Sequence, residues 1–450
     1  MSAAIAAEAT WRFPKAFWVA NVIELFERAA YYGTFIALAL FLTNVVGFTD
    51  IESGWISGIF SSGLYLLPFV TGALADRLGF RVSLTFAFAC LAVGYTMVGL
   101  FPVKALVPFG LLLVCIGGAF VKPIITGTVS LTSDATNRAR AFSLFYMMVN
   151  IGSFTGKTIA KPVRAELGLQ YIPIYSGLVA AIALVLVILF YRPEATVALS
   201  KGFDETIRGF KVVLRNTRFM ALILITSGFW AIQGQMYASM PKYVLRMVGE
   251  GASPEWYANV NPAVVVLCVV PITQLVKKWK PITSILIALA IIPFSALTMA
   301  FAAVLTGSAV SLGGLHPVTV TMLAGIALQG FAECFLSPRY LEYASKQAPA
   351  GQEGLYMGYC HLNTFFAWLF GFIASGYLLQ AFCPDPKTLS EAAQAQRLAA
   401  LGGSGPMPTE YLHSHYLWFA FAGVGFVALV LLMLLRATEK PEPVVAAPAP

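Results

Sequence analysis

Glu24, Glu27 and Arg28 fall with Tyr31 and Tyr32 at i, i+3, i+4, i+7 and i+8 inside an apolar stretch over residues 16–42. On a helix this spacing makes one stripe, so three ionisable groups and two phenols face the same way. A charge placed in hydrocarbon costs at least about 2.5 kcal/mol, so such groups normally face a bundle interior or a water-filled cavity, where they form a proton or solute path. Lys122, immediately before Pro123, adds a cation inside another apolar stretch, and Glu333, close to Pro338, adds an acid in a third. His361 is the only His deep in an apolar run and could titrate near neutral pH or simply be a packed, satisfied side chain.

The elements that must position these residues are membrane helices. The chain is 58% hydrophobic and 11% charged, with a mean hydropathy of +0.77, where a soluble domain carries about 25% charged residues. Runs long enough to cross about 30 Å of hydrocarbon fall at 16–42, 53–75, 82–101, 105–131, 139–162, 171–191, 219–246, 257–276, 281–306, 317–345, 353–381 and 413–436. The expected fold is thus an all-α membrane protein of twelve spans. Residues 1–15 form an N-terminal tail, 16–191 a first six-helix bundle, 192–218 a hydrophilic linker, 219–436 a second bundle and 437–450 a disordered Pro- and Ala-rich tail. The first apolar helix is full length and polar on one face, unlike a cleavable signal peptide.

Basic residues set the orientation. Arg77 and Arg81, Arg138 and Arg140, Lys277, Lys278 and Lys280, and Arg436 and Lys440 all follow even-numbered spans, as do Lys201, Arg208, Lys211 and Arg215 in the linker. Both termini are therefore expected on the cytoplasmic side of an inner membrane. Lys157, Lys161 and Arg164, near the outer end of span 5, break the rule. The net charge of +8 is mostly topology and gives no reason to invoke nucleic acid. Six Cys show no metal-ligand spacing. Five of them, Cys90, Cys115, Cys268, Cys334 and Cys360, lie within spans, which leaves Cys383 as the one expected in an exposed loop and argues against a disulfide framework. No GxxxxGK[ST] nucleotide loop is present, so no cofactor is expected and energy must come from an ion gradient.

Gly72-Ala-Leu-Ala-Asp76-Arg77-Leu-Gly79-Phe-Arg81, between spans 2 and 3, resembles the loop signature of the major facilitator superfamily. Glu24-Leu-Phe-Glu27-Arg28-Ala-Ala-Tyr31-Tyr32-Gly33 resembles the ExxER…YYG motif of its proton-dependent oligopeptide transporter family. Tyr65-Leu-Leu-Pro68, Gly118-Ala-Phe-Val-Lys122-Pro123, Phe145-Tyr146-Met-Met-Val-Asn150-Ile-Gly152-Ser153 and Glu333-Cys-Phe-Leu-Ser337-Pro338 resemble that family's second, fourth, fifth and tenth helices, in the right order. Two positions depart from it. Gly234, in Phe229-Trp230-Ala-Ile-Gln233-Gly234-Gln235, stands where members commonly carry an acid, and Phe35 where a second Arg is common. The resemblance implies two six-helix bundles around a midplane site, no metal, and uptake of small peptides by a chain working as a monomer in the lipid bilayer.

A small peptide is a zwitterion, so a site that takes many peptides should clamp its ends and leave its middle free. Arg28 offers a bidentate fork and Lys122 a point charge for the carboxylate; the alternative is that both merely neutralise Glu24 and Glu27, although desolvation often outweighs the Coulombic gain of such pairs. Glu333 is the acid available for the amine, or else a carboxyl kept protonated by burial. Tyr32, Tyr65, Tyr146, Asn150 and Ser337 supply neutral hydrogen-bonding groups, though such residues also bridge membrane helices. Trp230 and Trp368 are expected as core packing more than as walls. Pro123 should free the carbonyl of Ala119 and Pro338 that of Cys334, placing hinges beside Lys122 and Glu333. Protonation of Glu24 or Glu27, switching their pairing with Arg28 and Lys122, would couple a proton to transport. The expected function is proton-coupled symport of di- or tripeptides. A transporter of another small organic anion is the alternative, and a sensor or partner subunit that has lost transport is a rival from a different class.

Overall fold

Each apolar run winds into helix, and the interruptions fall where backbone chemistry requires them. The computed structural model describes residues 12–134, 137–193, 203–302, 315–348, 356 and 358–438. Lys201, Lys440, the tail at 441–450 and parts of the 281–306 and 353–381 runs lie outside the described residues. In chain order the helices are α1 (Lys15–Asn44), α2 (Asp50–Leu66), α3 (Pro68–Leu78), α4 (Phe80–Leu100), α5 (Val107–Leu131), α6 (Arg138–Pro162) and α7 (Tyr171–Phe190). After α8 (Phe203–Arg215) come α9 (Thr217–Gln233), α10 (Gln235–Ala238), α11 (Met240–Val248), α12 (Pro254–Tyr257), α13 (Val260–Val276) and α14 (Pro281–Ala300). The chain continues through α15 (Pro317–Lys346), α16 (Leu362–Phe382), α17 (Glu391–Leu401) and α18 (Tyr416–Ala437).

Among the described residues, ten helical stretches are long and apolar enough to cross a membrane, and α2 with α3, bent by 48° at Leu67, makes another. The twelfth span is α6. It is less apolar than the others, with Asn150, Ser153, Thr155, Lys157 and Thr158 along its length, yet its 25 residues reach about 37 Å at 1.5 Å per residue. The protein is therefore an all-α, twelve-span membrane protein. Among the described helices, α8 in the linker and α17 after α16 lie wholly outside the twelve runs, and α12 reaches only the first residue of one. Arg397 of α17 donates to the carbonyls of Leu245 and Arg246 at 3.0 and 2.9 Å and so closes the C-terminal end of α11.

α1 packs along α6 and α7, and α4 along α5 and α7; α14 lies on α15 and α18, α13 on α15, and α9 on α16 and α18. Two small-residue contacts bring backbones close. A Cβ at Gly156 of α6 would stand 2.2 Å from the Ala29 carbonyl oxygen of α1, and one at Gly54 of α2 would stand 2.7 Å from that of Phe372 in α16. The first contact seats α6 on α1. The second joins α2 to α16 across the two groups of helices, as expected where lipid supplies no hydrophobic drive and backbones associate by close packing. The turn carrying the loop signature needs its glycine, because Gly79 ends α3 at φ 87°.

Candidate transport cavity

A cavity of about 310 Å³ lies between the two groups of helices. α1 contributes Tyr32, α2 Tyr65, α5 Lys122, and α6 Tyr146, Asn150 and Lys157. Facing them are Trp230 and Gln233 of α9, Gly234 at its end, Asn261 of α13, Glu333 and Ser337 of α15, and Trp368 of α16. Every expected neutral site residue therefore reaches one space, together with Lys122 and Glu333. His361 also lines it, but from the turn that precedes α16 rather than from deep inside a helix. Trp230 and Trp368 are walls of the cavity, not only core, and their indole N–H groups are buried without an acceptor.

Glu24, Glu27 and Arg28 do not reach the cavity surface. The Arg28 guanidinium lies against the Tyr31 and Tyr32 rings, 5.3 and 6.0 Å from their centroids, and Tyr32 itself lines the cavity. Arg28 is shared: its Nε bonds Glu27 and lies 3.3 Å from Glu24 Oε1, both carboxylates being buried. Glu24 Oε2 has no hydrogen-bond partner. Lys122 departs from the expected pairing, since among the described residues it forms no ion pair; its ammonium extends into the cavity over the Tyr65 ring at 6.0 Å. The physical reason is reach, because α5 presents Lys122 to the open space while Arg28 already occupies both acids. Glu333 is not bare either. Its Oε2 accepts from Gln233 Nε2 at 2.5 Å and from Asn261 Nδ2 at 3.4 Å.

α5 and α15 run unbroken through Pro123 and Pro338, and near each proline a hydroxyl from a neighbouring helix meets a carbonyl. Thr71 of α3 donates to the Ala119 carbonyl at 2.7 Å, the group Pro123 leaves without a donor. At Pro338 the bond falls one residue away from expectation: Ser284 of α14 donates at 2.7 Å to Phe335, not to Cys334. The two departures from the family pattern also find a setting. Phe35 is buried in an aromatic layer, stacked on Trp368 with centroids 5.1 Å apart and 4.7 Å from Tyr237. Gly234 lies against Trp368, where a Cβ would stand 3.1 Å from the Trp230 carbonyl oxygen.

The end of the bundle away from the chain termini is held shut by buried charges, most of which the sequence reading did not single out. Asp50, opening α2, binds Lys242 at 2.9 Å and Arg246 through both carboxylate oxygens at 2.9 Å. Arg164, just after α6, binds Glu255 at 2.5 Å and Glu250 at 3.1 Å. Lys161 and Lys157 donate to the carbonyls of Ala252 and Ala258 at 3.0 and 3.3 Å. The three basic residues that break the charge rule near span 5 thus make contacts between the two helix groups. One signal for the other cluster was present in the sequence, Lys242 and Arg246 at i and i+4 near the end of an apolar run. Cys383 is fully buried, contrary to expectation, because its carbonyl accepts from Arg246 within this cluster.

A family model described as Major Facilitator Superfamily matches residues 20–315, and the chain belongs to that superfamily. It is 32% identical over 168 residues to "Peptide transporter family 1" of Drosophila melanogaster, covering 34% of this chain and 22% of that protein. Against "Dipeptide and tripeptide permease A" of Pectobacterium carotovorum it is 33% identical over 156 residues, 34% of this chain and 31% of that one. The matches thus span about a fifth to a third of these relatives' length. In fold, the chain superposes on a crystal structure titled as an auto-inhibited POT family peptide transporter with a TM-score of 0.73 at 19% identity, covering 97% of this chain and 99% of the other. The family model bears out the resemblance to the major facilitator superfamily, and the superposition bears out the fold. The chain is thus a multi-pass membrane protein of that superfamily.

Proposed function

We propose that the chain is a proton-coupled symporter of di- or tripeptides that works by alternating access as a monomer in the inner membrane, with both termini cytoplasmic. The observation that carries the reading is the placing of opposite charges across one cavity: Lys122, without an ion pair among the described residues, on the first helix group, and Glu333 on the second. A peptide carboxylate would meet Lys122, with Arg28 beside Tyr32 as its second cation, and the ammonium would meet Glu333. The coupling proton would reside on Glu24 or Glu27. Glu24 Oε2 suits it, being a buried oxygen with no donor, and its protonation would release Arg28 from one of two acids. The bistable element would be the rocking of one bundle of six against the other, 16–191 against 219–436, with 192–218 as the linker.

Uptake of dialanine into proteoliposomes under an imposed inward proton gradient tests this directly. Accumulation above the external concentration that collapses with a protonophore is the expected result; uptake of amino acids, sugars or nitrate in its place would overturn it. One observation favours the second reading, transport of another small organic anion. Glu333 already accepts from Gln233 and Asn261, which leaves it fewer lone pairs for an amine.

A further inference from the structure

Lys157 is the cavity cation that the proposed function leaves without work. It lies on the stripe Tyr146, Asn150, Ser153, Lys157 along the inward face of α6, and all four line the cavity. Only 1% of it is exposed. Among the described residues no carboxylate lies within ion-pair distance. Its ammonium has three donors but makes one long bond, to the Ala258 carbonyl at 3.3 Å, and stands 5.6 Å from the centroid of the Tyr32 ring. A buried ammonium with spare donors and no counter-charge is costly in the apo state and favourable once an anion enters. Glu24 and Glu27 do not serve it, because Arg28 holds both and neither lies within ion-pair distance of Lys157.

We propose that Lys157 reads a second anionic group on the substrate, so that the cavity favours peptides carrying a side-chain carboxylate. This rests on the peptide reading above. With Lys122 and Glu333 engaged by the two ends of the backbone, a side chain directed along the α6 stripe meets Lys157 at its far end. The lining then presents two cations, Lys122 and Lys157, to one acid, Glu333, whose oxygen is already shared with two amides. That balance fits a zwitterion bearing one extra negative charge.

Isosteric peptides that differ only in charge give the test, Ala-Glu against Ala-Gln and Glu-Ala against Gln-Ala, competing with labelled dialanine for the purified full chain. In the native protein at least one acidic peptide should bind about tenfold more tightly than its amide twin or better, as expected when a buried cation gains its partner. Lys157→Gln should bring the ratio close to one, while Lys157→Arg should keep it well above one. A latch serving only the contact with Ala258 would change all four affinities together and leave the ratios alone, so unaltered ratios in a folded, monodisperse Lys157→Gln protein overturn the proposal. Equal binding of acidic and amide peptides by the native chain overturns it too. If no dipeptide competes at all, the peptide reading fails and this proposal falls with it.

Discussion

At Lys122 and Glu24 the structure separates two kinds of intramembrane charge. Lys122 is exposed to the cavity with no ion partner among the described residues, whereas the buried Glu24 and Glu27 share Arg28. Removing the Lys122 ammonium should therefore abolish uphill, proton-driven uptake while folded protein remains in the membrane; full accumulation by Lys122→Ala would end its role in coupling. Converting Glu24 and Glu27 together to Gln removes both proton seats near Arg28, and no acid stands at Gly234 to replace them. Accumulation should stop while exchange of peptide persists, a split that counterflow assays resolve. The amine should be read by Glu333. Loss of one partner from a buried charge pair costs about 2–5 kcal/mol, so an N-acetylated dipeptide should compete far less well than its parent, and Glu333→Gln should narrow that gap. Equal competition by the two peptides in the native chain would show that the ammonium has another partner.

Single elements are shaped by how the donors that proline removes are replaced. Pro123 removes a donor from α5 beside Lys122, and Thr71 restores one to Ala119 from the neighbouring helix. Thr71→Val keeps the side-chain shape but strands that buried carbonyl, which should lower stability by about 1–3 kcal/mol; Thr71→Ser should recover most of it in thermal unfolding. The start of α15 carries a pH-sensitive counterpart. His316 lies ahead of the helix, its Nδ1 accepts from the Val318 amide at 3.2 Å, and burial pushes its imidazole below the usual value. Only the neutral ring accepts that bond. The folded pKa is below the unfolded one, so the contribution is fully present above about pH 6.5 and declines as the pH falls below it. Such a cap is worth about 0.5–2 kcal/mol. The native chain's advantage over His316→Ala in melts should be smaller at pH 5 than at pH 8.

For the whole molecule, under the alternating-access reading proposed above, the buried cluster of Asp50, Lys242 and Arg246 would stabilise one of the two arrangements. Breaking a buried ion pair by removing one partner typically costs about 3–5 kcal/mol, and here that cost falls mainly on the arrangement closed at the Asp50 end. Asp50→Ala should therefore shift the population toward opening at that end. Spin-label distances between the outer ends of α2 and α11 should lengthen in this variant, and unchanged distances would show that the Arg164 cluster alone holds the closure.

The sequence by itself determined the twelve helices, the resemblance to a transporter family and part of the cavity lining, because membrane burial forces apolar length and makes every charge within a span conspicuous. Tyr32, Tyr65, Lys122, Tyr146, Asn150, Glu333 and Ser337 were legible for that reason, and the structure brings them to one space. Partnership was not legible. That Arg28 holds both acids, that Lys122 stands without an ion pair, and that Gln233 and Asn261 share Glu333 depend on side-chain directions across helices far apart in the chain. The closing clusters were obscured for the same reason: Asp50 meets Lys242 and Arg246 nearly two hundred positions later, and nothing local marks a charge as one that another half will cover. Periodicity reports which way a residue faces on its own helix; only the packing of helices decides what it faces.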